Sequence, residues 1–267
     1  MTIQALYSAA TGMTAMETKL DVTSNNLANM ETTAFKRDRA NFEDLFYRHE
    51  VFPGAEDTAG QYTPTGISIG LGVRTASTQT EFTQGAIKQT SQELDVAIEG
   101  RGFFQVQNPD GSTRYTRAGN FSKNANGNMV TGSASDGRLI EPPIVFPPDA
   151  MAIVISPEGI VSVQQPGNNQ LTQVGQIELA SFVNPQGLLK MGENLYAETD
   201  ASGAPTLGNP GQEGLGLLRQ NSLEASNVEP VQEIIDLIMT QRAFEMNSQT
   251  IKVGDEIMQN IANLRRI

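Results

Sequence analysis

Very few residues here could do chemistry. The 267-residue chain has one histidine, His49, and no cysteine. Thiol catalysis, disulfides and cysteine-based metal sites are therefore excluded. A Ser-His-Asp arrangement would have to use His49. That residue sits in "LFYRHEVFPGAED", which reads as a solvated loop with no nucleophile motif beside it. No G-x-S-x-G, Walker loop or H-E-x-x-H is present. The G-x-G pairs in "IGLG" (69–72) and "EGRGFF" (99–104) lack a third glycine opening a helix. They read as turns or bulges in which glycine supplies a positive φ. "KNANGN" at 123–128 lacks the acidic ligands of a calcium loop and reads as a hairpin turn on Asn-Gly. Asp95 and Glu99 would share one face of a strand, with no pocket implied, and read as a solvated strand edge. The expectation is a protein without catalytic residues, metal ligands or cofactors, and not an enzyme.

Charge narrows the partners. The formal net charge is −12, which argues against nucleic acid, whose phosphates need a basic face. Residues 1–40 carry four basic and four acidic side chains, and residues 226–267 carry four and six. The remaining −10 falls in the middle, so near-neutral ends flank an acidic body. No run of about 18 apolar residues exists, so no membrane insertion is expected. "MTIQALYSAATGMTAMETKL" lacks a basic start and a continuous apolar core, and is not a cleavable secretory signal. If the protein is exported, it uses another route.

The ends are helical. Over 3–29, Ile3, Leu6, Ala10 and Met13 follow three- and four-residue steps, Glu17 occupies the next step, and Leu20 and Leu27 continue the stripe at heptad spacing, with Gly12 as a weak point. At the other end Ser226 and Glu229 fit a capping box, with Pro230 in the first turn. Two apolar stripes follow: Ile234, Leu237, Phe244, Ile251 and Met258; and Ala243, Met246, Val253, Ile257, Ile261 and Leu264. Two stripes imply more than one neighbour.

The middle reads as antiparallel β: short alternating runs such as "LDVAIEG", "GFFQVQ" and "VGQIELASFV", separated by turns such as "NPDG" and "SPEG". "EPPIVFPPDA" at 141–150 and the Gly/Pro-rich stretch 200–218 read as extended links. The fold class is α+β: long terminal helices paired as a coiled coil, a mainly antiparallel β middle, and extended connectors. The expected domains are a helical one, 1–33 with 226–267; a connector, 34–94 with 205–225; and a β core, 95–204.

Five stretches, in order, resemble the flagellar rod, hook and hook-associated family. They are "TSNNLANMETTAFKR", "DVAIEGRGFFQV", "YTRAGNFSKNANGNMVT", "GENLYAET" and "LEASNVEPVQEIIDLIMTQRAFEMNSQTIKVGDEIMQNI". One departure is Ala34, where that family usually has glycine before the aromatic. The segment 47–66, with Tyr47, Phe52, Pro53, Gly54, Tyr62 and Pro64, resembles an extra segment that distal rod proteins carry, associated with a stiff rod. Its prolines fit an extended, packed stretch.

The resemblance implies a structural subunit of the distal rod, polymerising with itself into a helical, hollow drive shaft that crosses the periplasm. A proximal rod or hook subunit of the same family is the alternative. The implied partners are proximal rod proteins, the hook protein, the surrounding outer-membrane and peptidoglycan ring proteins, and the flagellar type III export apparatus. The implied assembly residues are Leu6, Met13, Leu20, Asn25, Asn26, Leu27, Asn29, Ile234, Leu237, Phe244, Asn247, Ile251, Ile257 and Met258. Asparagine is a poor helix-interior residue. Asn25, Asn26, Asn29 and Asn247 either fix register through buried amides or merely end a helix in solvent.

Overall fold

The structure is a computed structural model and describes residues 2–54, 62, 64–132, 137–166 and 168–264. The chain forms two compact units. One comprises 1–28, 38–79 and 229–267; the other comprises 29–37 and 80–228.

The first unit contains the two long helices, α1 (Thr2–Ala28) and α2 (Pro230–Leu264). The expected capping box is not formed. Ser226 Oγ accepts from the Val228 amide at 3.2 Å, and Glu229 supplies the carbonyl for the first helical bond, from Glu233 N at 3.0 Å. Pro230 still opens the helix, where its missing N–H costs nothing. Four strands accompany the helices: β1 (Asp38–Asp44), β2 (Tyr47–Val51), β3 (Ile67–Gly70) and β4 (Val73–Thr80). β1 pairs with β4, and β2 pairs antiparallel with β3. Side chains bridge the β1/β4 pair, with Arg39 bonded to Gln79 at 2.9 Å and Arg74 to Glu43 at 2.8 Å. Both pairs are solvent-facing, so they define geometry more than they add stability.

The second unit is a β body. A nine-stranded sheet is built from antiparallel pairs, its spine running Leu189–Gly192, Leu195–Ala197, Thr113–Thr116, Phe103–Gln107, Leu139–Glu141, Met129–Thr131 and Phe121–Lys123. A three-stranded sheet (Ala152–Ile155, Ile160–Gln165, Asn168–Gln176) and two short ladders complete it. Phe104, Phe121, Ile140, Ile144, Phe146, Ile177 and Leu179 meet in the main core. A second cluster of Phe103, Tyr115, Phe182 and Tyr196 packs edge to face.

Several links contribute more than the sequence suggested. Ile144 and Phe146 of the proline-rich stretch are fully buried. In the Gly/Pro-rich stretch, Thr206–Gly208 pairs with Leu179–Ser181, and Leu217–Gln220 pairs with Val96–Glu99. The Asn-Gly hairpin joins Phe121–Lys123 to Met129–Thr131, with Gly127 at φ +85. Gly100 and Gly102 do have positive φ, +119 and +133. Asp95 is not solvated: it is buried, bridging to Asn120 in the ladder.

The body also contains a charged core. Lys36 Nζ donates to Glu224 Oε1 at 2.6 Å and to the Thr83 carbonyl at 2.7 Å, with both side chains of the ion pair fully buried. The Gly85 amide donates to the same Glu224 oxygen at 2.9 Å. Arg117 sends two donors to the Gly100 carbonyl, at 2.9 and 2.8 Å, and lies 3.6 Å from Glu224 Oε2. Burial lowers the pKa of Lys36, opposed by the attraction of Glu224. Burial likewise lowers that of Arg117. Beside this core Ala34 adopts φ +56, and its amide donates to the Glu224 carbonyl at 2.8 Å.

Candidate assembly interface

The two helices of the first unit run antiparallel along each other. Asn26 meets Glu233, Gly12 faces Asn247, and Leu6 faces Gly254. On α2 the seam residues are Glu233, Thr240, Asn247 and Gly254, spaced seven apart. Glu233 and Thr240 are among the most buried residues of the helix. The seam is thus polar and small rather than apolar. A Cβ at Gly12 would lie 2.9 Å from Asn247 Nδ2, and one at Gly254 would lie 2.5 Å from Leu6 Cδ2. Both glycines exist for close approach, not for backbone freedom.

Asn26 makes the central contact. Its Oδ1 accepts from the Asp38 amide at 2.9 Å. Its Nδ2 donates to the Asp38 carbonyl at 2.8 Å and to Glu233 Oε2 at 3.3 Å. It is 1% exposed, so a missing partner would cost about 1–3 kcal/mol per group. The other asparagines differ. Asn25 is exposed. Asn29 is half-buried beyond the helix, where its Oδ1 accepts from the Thr32 hydroxyl at 3.1 Å. Asn247 is half-buried against Gly12.

Beside this polar seam, most of the large apolar residues of α2 are exposed. Leu237 and Ile251 are half-buried, while Ile234, Phe244, Ile257 and Met258 are exposed. So are Val231, Ile235, Ile238, Met239, Met246, Val253 and Ile261. Val231, Ile235, Ile238 and Met239 lie outside both stripes read from the sequence. The signal that would have found them is the polar heptad 233, 240, 247 and 254, which marks the inner face. On α1, Leu6, Met13, Leu20 and Leu27 are half-buried.

In the 47–66 segment, residues 55–61 and 63 lie outside the described residues. The described part is exposed rather than packed: Phe52 is 64% and Tyr62 73% exposed. Tyr47, Pro53 and Pro64 are exposed as well, and Gly54 turns at φ +82. His49 lies in β2, not in a loop, and stacks on Phe52 with ring centroids 5.2 Å apart. Among the described residues no group of three or more His, Asp or Glu could hold a metal ion, and no helix is long and apolar enough to cross a membrane.

These features describe a chain whose α2 carries many exposed apolar side chains. Comparison with known proteins says what kind of chain this is. It is 46% identical, over 98% of its own length and 100% of the other's, to the flagellar basal-body rod protein FlgG of Caulobacter vibrioides. The chain belongs to the flagellar basal-body rod protein family. The FlgG of Agrobacterium fabrum is 47% identical over 96% of this chain and 97% of that one. Three family models match: the flagella basal body rod protein at 6–36, the flagellar hook protein FlgE/F/G D1 domain at 97–163, and the flagellar basal body rod FlgEFG protein C-terminal at 219–264. A solved structure, the Helicobacter pylori flagellar hook protein FlgE2, aligns at 15% identity over 71% of this chain and 43% of that one. Its TM-score is 0.25.

This rod protein is therefore a structural component of the flagellar basal body, in a family of self-assembling parts. The matches indicate no catalytic family.

Proposed function

We propose that this chain is the subunit of the distal rod, polymerising helically into a stiff hollow shaft that passes torque from the motor to the hook. The observation that carries this reading is the outward apolar surface of α2. Ile235, Ile238, Met239 and Met246 are 46–63% exposed on a helix whose inner seam is polar. Burying the exposed half of each side chain against a neighbour would contribute about 1 kcal/mol per residue. A surface of this kind needs other copies, and contacts that do not close on themselves generate filaments. In this reading the terminal helices of successive copies pack as coiled coils into an inner tube, and the β bodies form an outer layer. The residues 1–33 with 226–267 would then act as the assembly domain and 95–204 as the outer core.

The segment 47–66 would stiffen the shaft, its exposed Phe52 and Tyr62 covered by the next subunit. Proximal rod proteins, the hook protein, the surrounding rings and the type III export apparatus would be its neighbours in the basal body and on the way there. The test is sedimentation of assembled protein. Ile238→Asp combined with Met239→Asp should leave a folded monomer that no longer pellets. Normal pelleting of the double variant would sink the proposal.

A further inference from the structure

All the sulfur of this chain is thioether: ten methionines and no cysteine. Two of them, Met239 and Met246, sit seven residues apart on one stripe of α2, and each is 63% exposed. Ile235 and Val253 continue the stripe, four residues before Met239 and seven after Met246, and both are exposed. Met129, by contrast, is fully buried in the main core of the β body. A thioether is soft, flexible and apolar, which suits a contact surface that must repack. Exposure also leaves the sulfur open to oxidants.

We propose that Met239 and Met246 form an oxidation site that closes this surface to assembly: hydrogen peroxide converts both thioethers to sulfoxides in the free subunit, and the modified chain is excluded from the polymer. The inference rests on the self-assembly reading above and adds a chemical control to it. The sulfur gives two electrons to one peroxide oxygen, the O–O bond breaks, an S–O bond forms, and the other oxygen leaves as water. The contact with α1 runs through Glu233, Asn247 and Gly254, so the oxidised monomer keeps its fold. What changes is the surface. A strong acceptor dipole replaces an apolar atom, and burying it against a neighbour's apolar side chains leaves it without a donor. Once copies have packed, the same burial shields the sulfur, so oxidation acts only before assembly.

Limited peroxide treatment of the monomer, stopped with catalase, gives a mixed population with sulfoxides at different positions. The mixture is assembled and pelleted, and peptide mass spectrometry reads the sulfoxide fraction at each methionine in pellet and supernatant. Met151 and Met191, exposed on the β body, are internal controls. Sulfoxide at Met239 and Met246 should be depleted from the pellet by about fivefold or more, the factor that an unpaired polar group costing ~1 kcal/mol gives. Met151 and Met191 should show little depletion, and thermal unfolding of the treated monomer should be unchanged. A Met239→Leu, Met246→Leu double variant keeps an apolar side chain of similar volume. It should pellet normally after a peroxide dose that stops the natural chain, and methionine sulfoxide reductases A and B should restore the natural chain. Depletion at Met239 and Met246 no greater than at Met151 and Met191 would overturn the oxidation site. So would a treated double variant that stops pelleting as the natural chain does. Either result leaves the helix reading to its own test with Ile238→Asp and Met239→Asp. If the untreated natural chain does not assemble, the helix reading falls and takes this inference with it.

Discussion

Replacing Lys36 by Met removes one member of a fully buried ion pair while keeping the volume. Glu224 would keep the Gly85 amide at 2.9 Å and Arg117 at 3.6 Å but lose its 2.6 Å partner. The Thr83 carbonyl would lose its 2.7 Å donor. Breaking a buried pair from one side costs ~3–5 kcal/mol, most of it the penalty on the charge left behind. With a urea slope of about 2 kcal/mol/M, typical of a domain this size, the unfolding midpoint should fall by roughly 1.5–2.5 M. Near-ultraviolet circular dichroism can follow this, because Tyr115 and Tyr196 belong to the aromatic cluster of the same unit. Glu224→Gln and the double variant complete the cycle. The two changes should couple by about 1–3 kcal/mol, because the residues are in direct contact. A midpoint shift below about 0.5 M for Lys36→Met, or strict additivity, would refute the expectation that losing one partner of this buried pair is costly.

Four further outcomes follow from particular residues. Ala34→Gly should change stability by less than ~1 kcal/mol, since relief at φ +56 offsets the lost methyl burial; Ala34→Val should cost ~2 kcal/mol or more in thermal unfolding. Asn26→Ala should destabilise the assembled polymer by roughly 2–4 kcal/mol in a urea dissociation assay, while exposed Asn25→Ala should cost less than ~1 kcal/mol. Tyr115 has its pKa raised from 10.0 to about 12, first by burial and then by the nearby Glu198 and Glu141 carboxylates. The native state therefore holds that proton longer than the unfolded state. This contributes stability that is full below pH 10 and lost as pH rises through 12, at most ~2–3 kcal/mol; Tyr115→Phe should flatten that slope in unfolding measured between pH 9 and 12. Deleting residues 52–66 should yield tubes that bend in electron micrographs, and tubes that stay straight would remove the stiffening role of that segment.

The sequence made some of this legible because local chemistry and tertiary contact agreed. Alternating β runs, Asn-Gly at the hairpin and Pro230 at a helix start are local rules, and the structure follows them. The helix contacts were not legible in the same way. Apolar periodicity locates the face that wants burial, but in a polymer subunit that face points to a neighbour. Of the residues turned inward, Glu233, Thr240, Asn247 and Gly254, only Asn247 stands out by type, and the other three lie outside the apolar periodicity. Asn26 was singled out by type, yet its partner Asp38 lies twelve residues on and no periodicity announces it. Lys36 and Glu224 are 188 residues apart, so only the fold reveals the charged core. Ala34 marked itself by departing from the usual glycine, and the strained φ there is what that departure implies.

The central claim is that the terminal helices, and chiefly the outward surface of α2, build a straight tube. The direct measurement is electron microscopy of the concentrated full chain beside a version lacking residues 1–28. That truncation removes α1 and leaves the 29–37 segment, which belongs to the β body, in place. The account predicts straight, hollow tubes from the full chain and none from the truncated one, which should remain a monomer with a folded β body. Straight tubes from both chains, or a full chain that stays monomeric at high concentration, would contradict it.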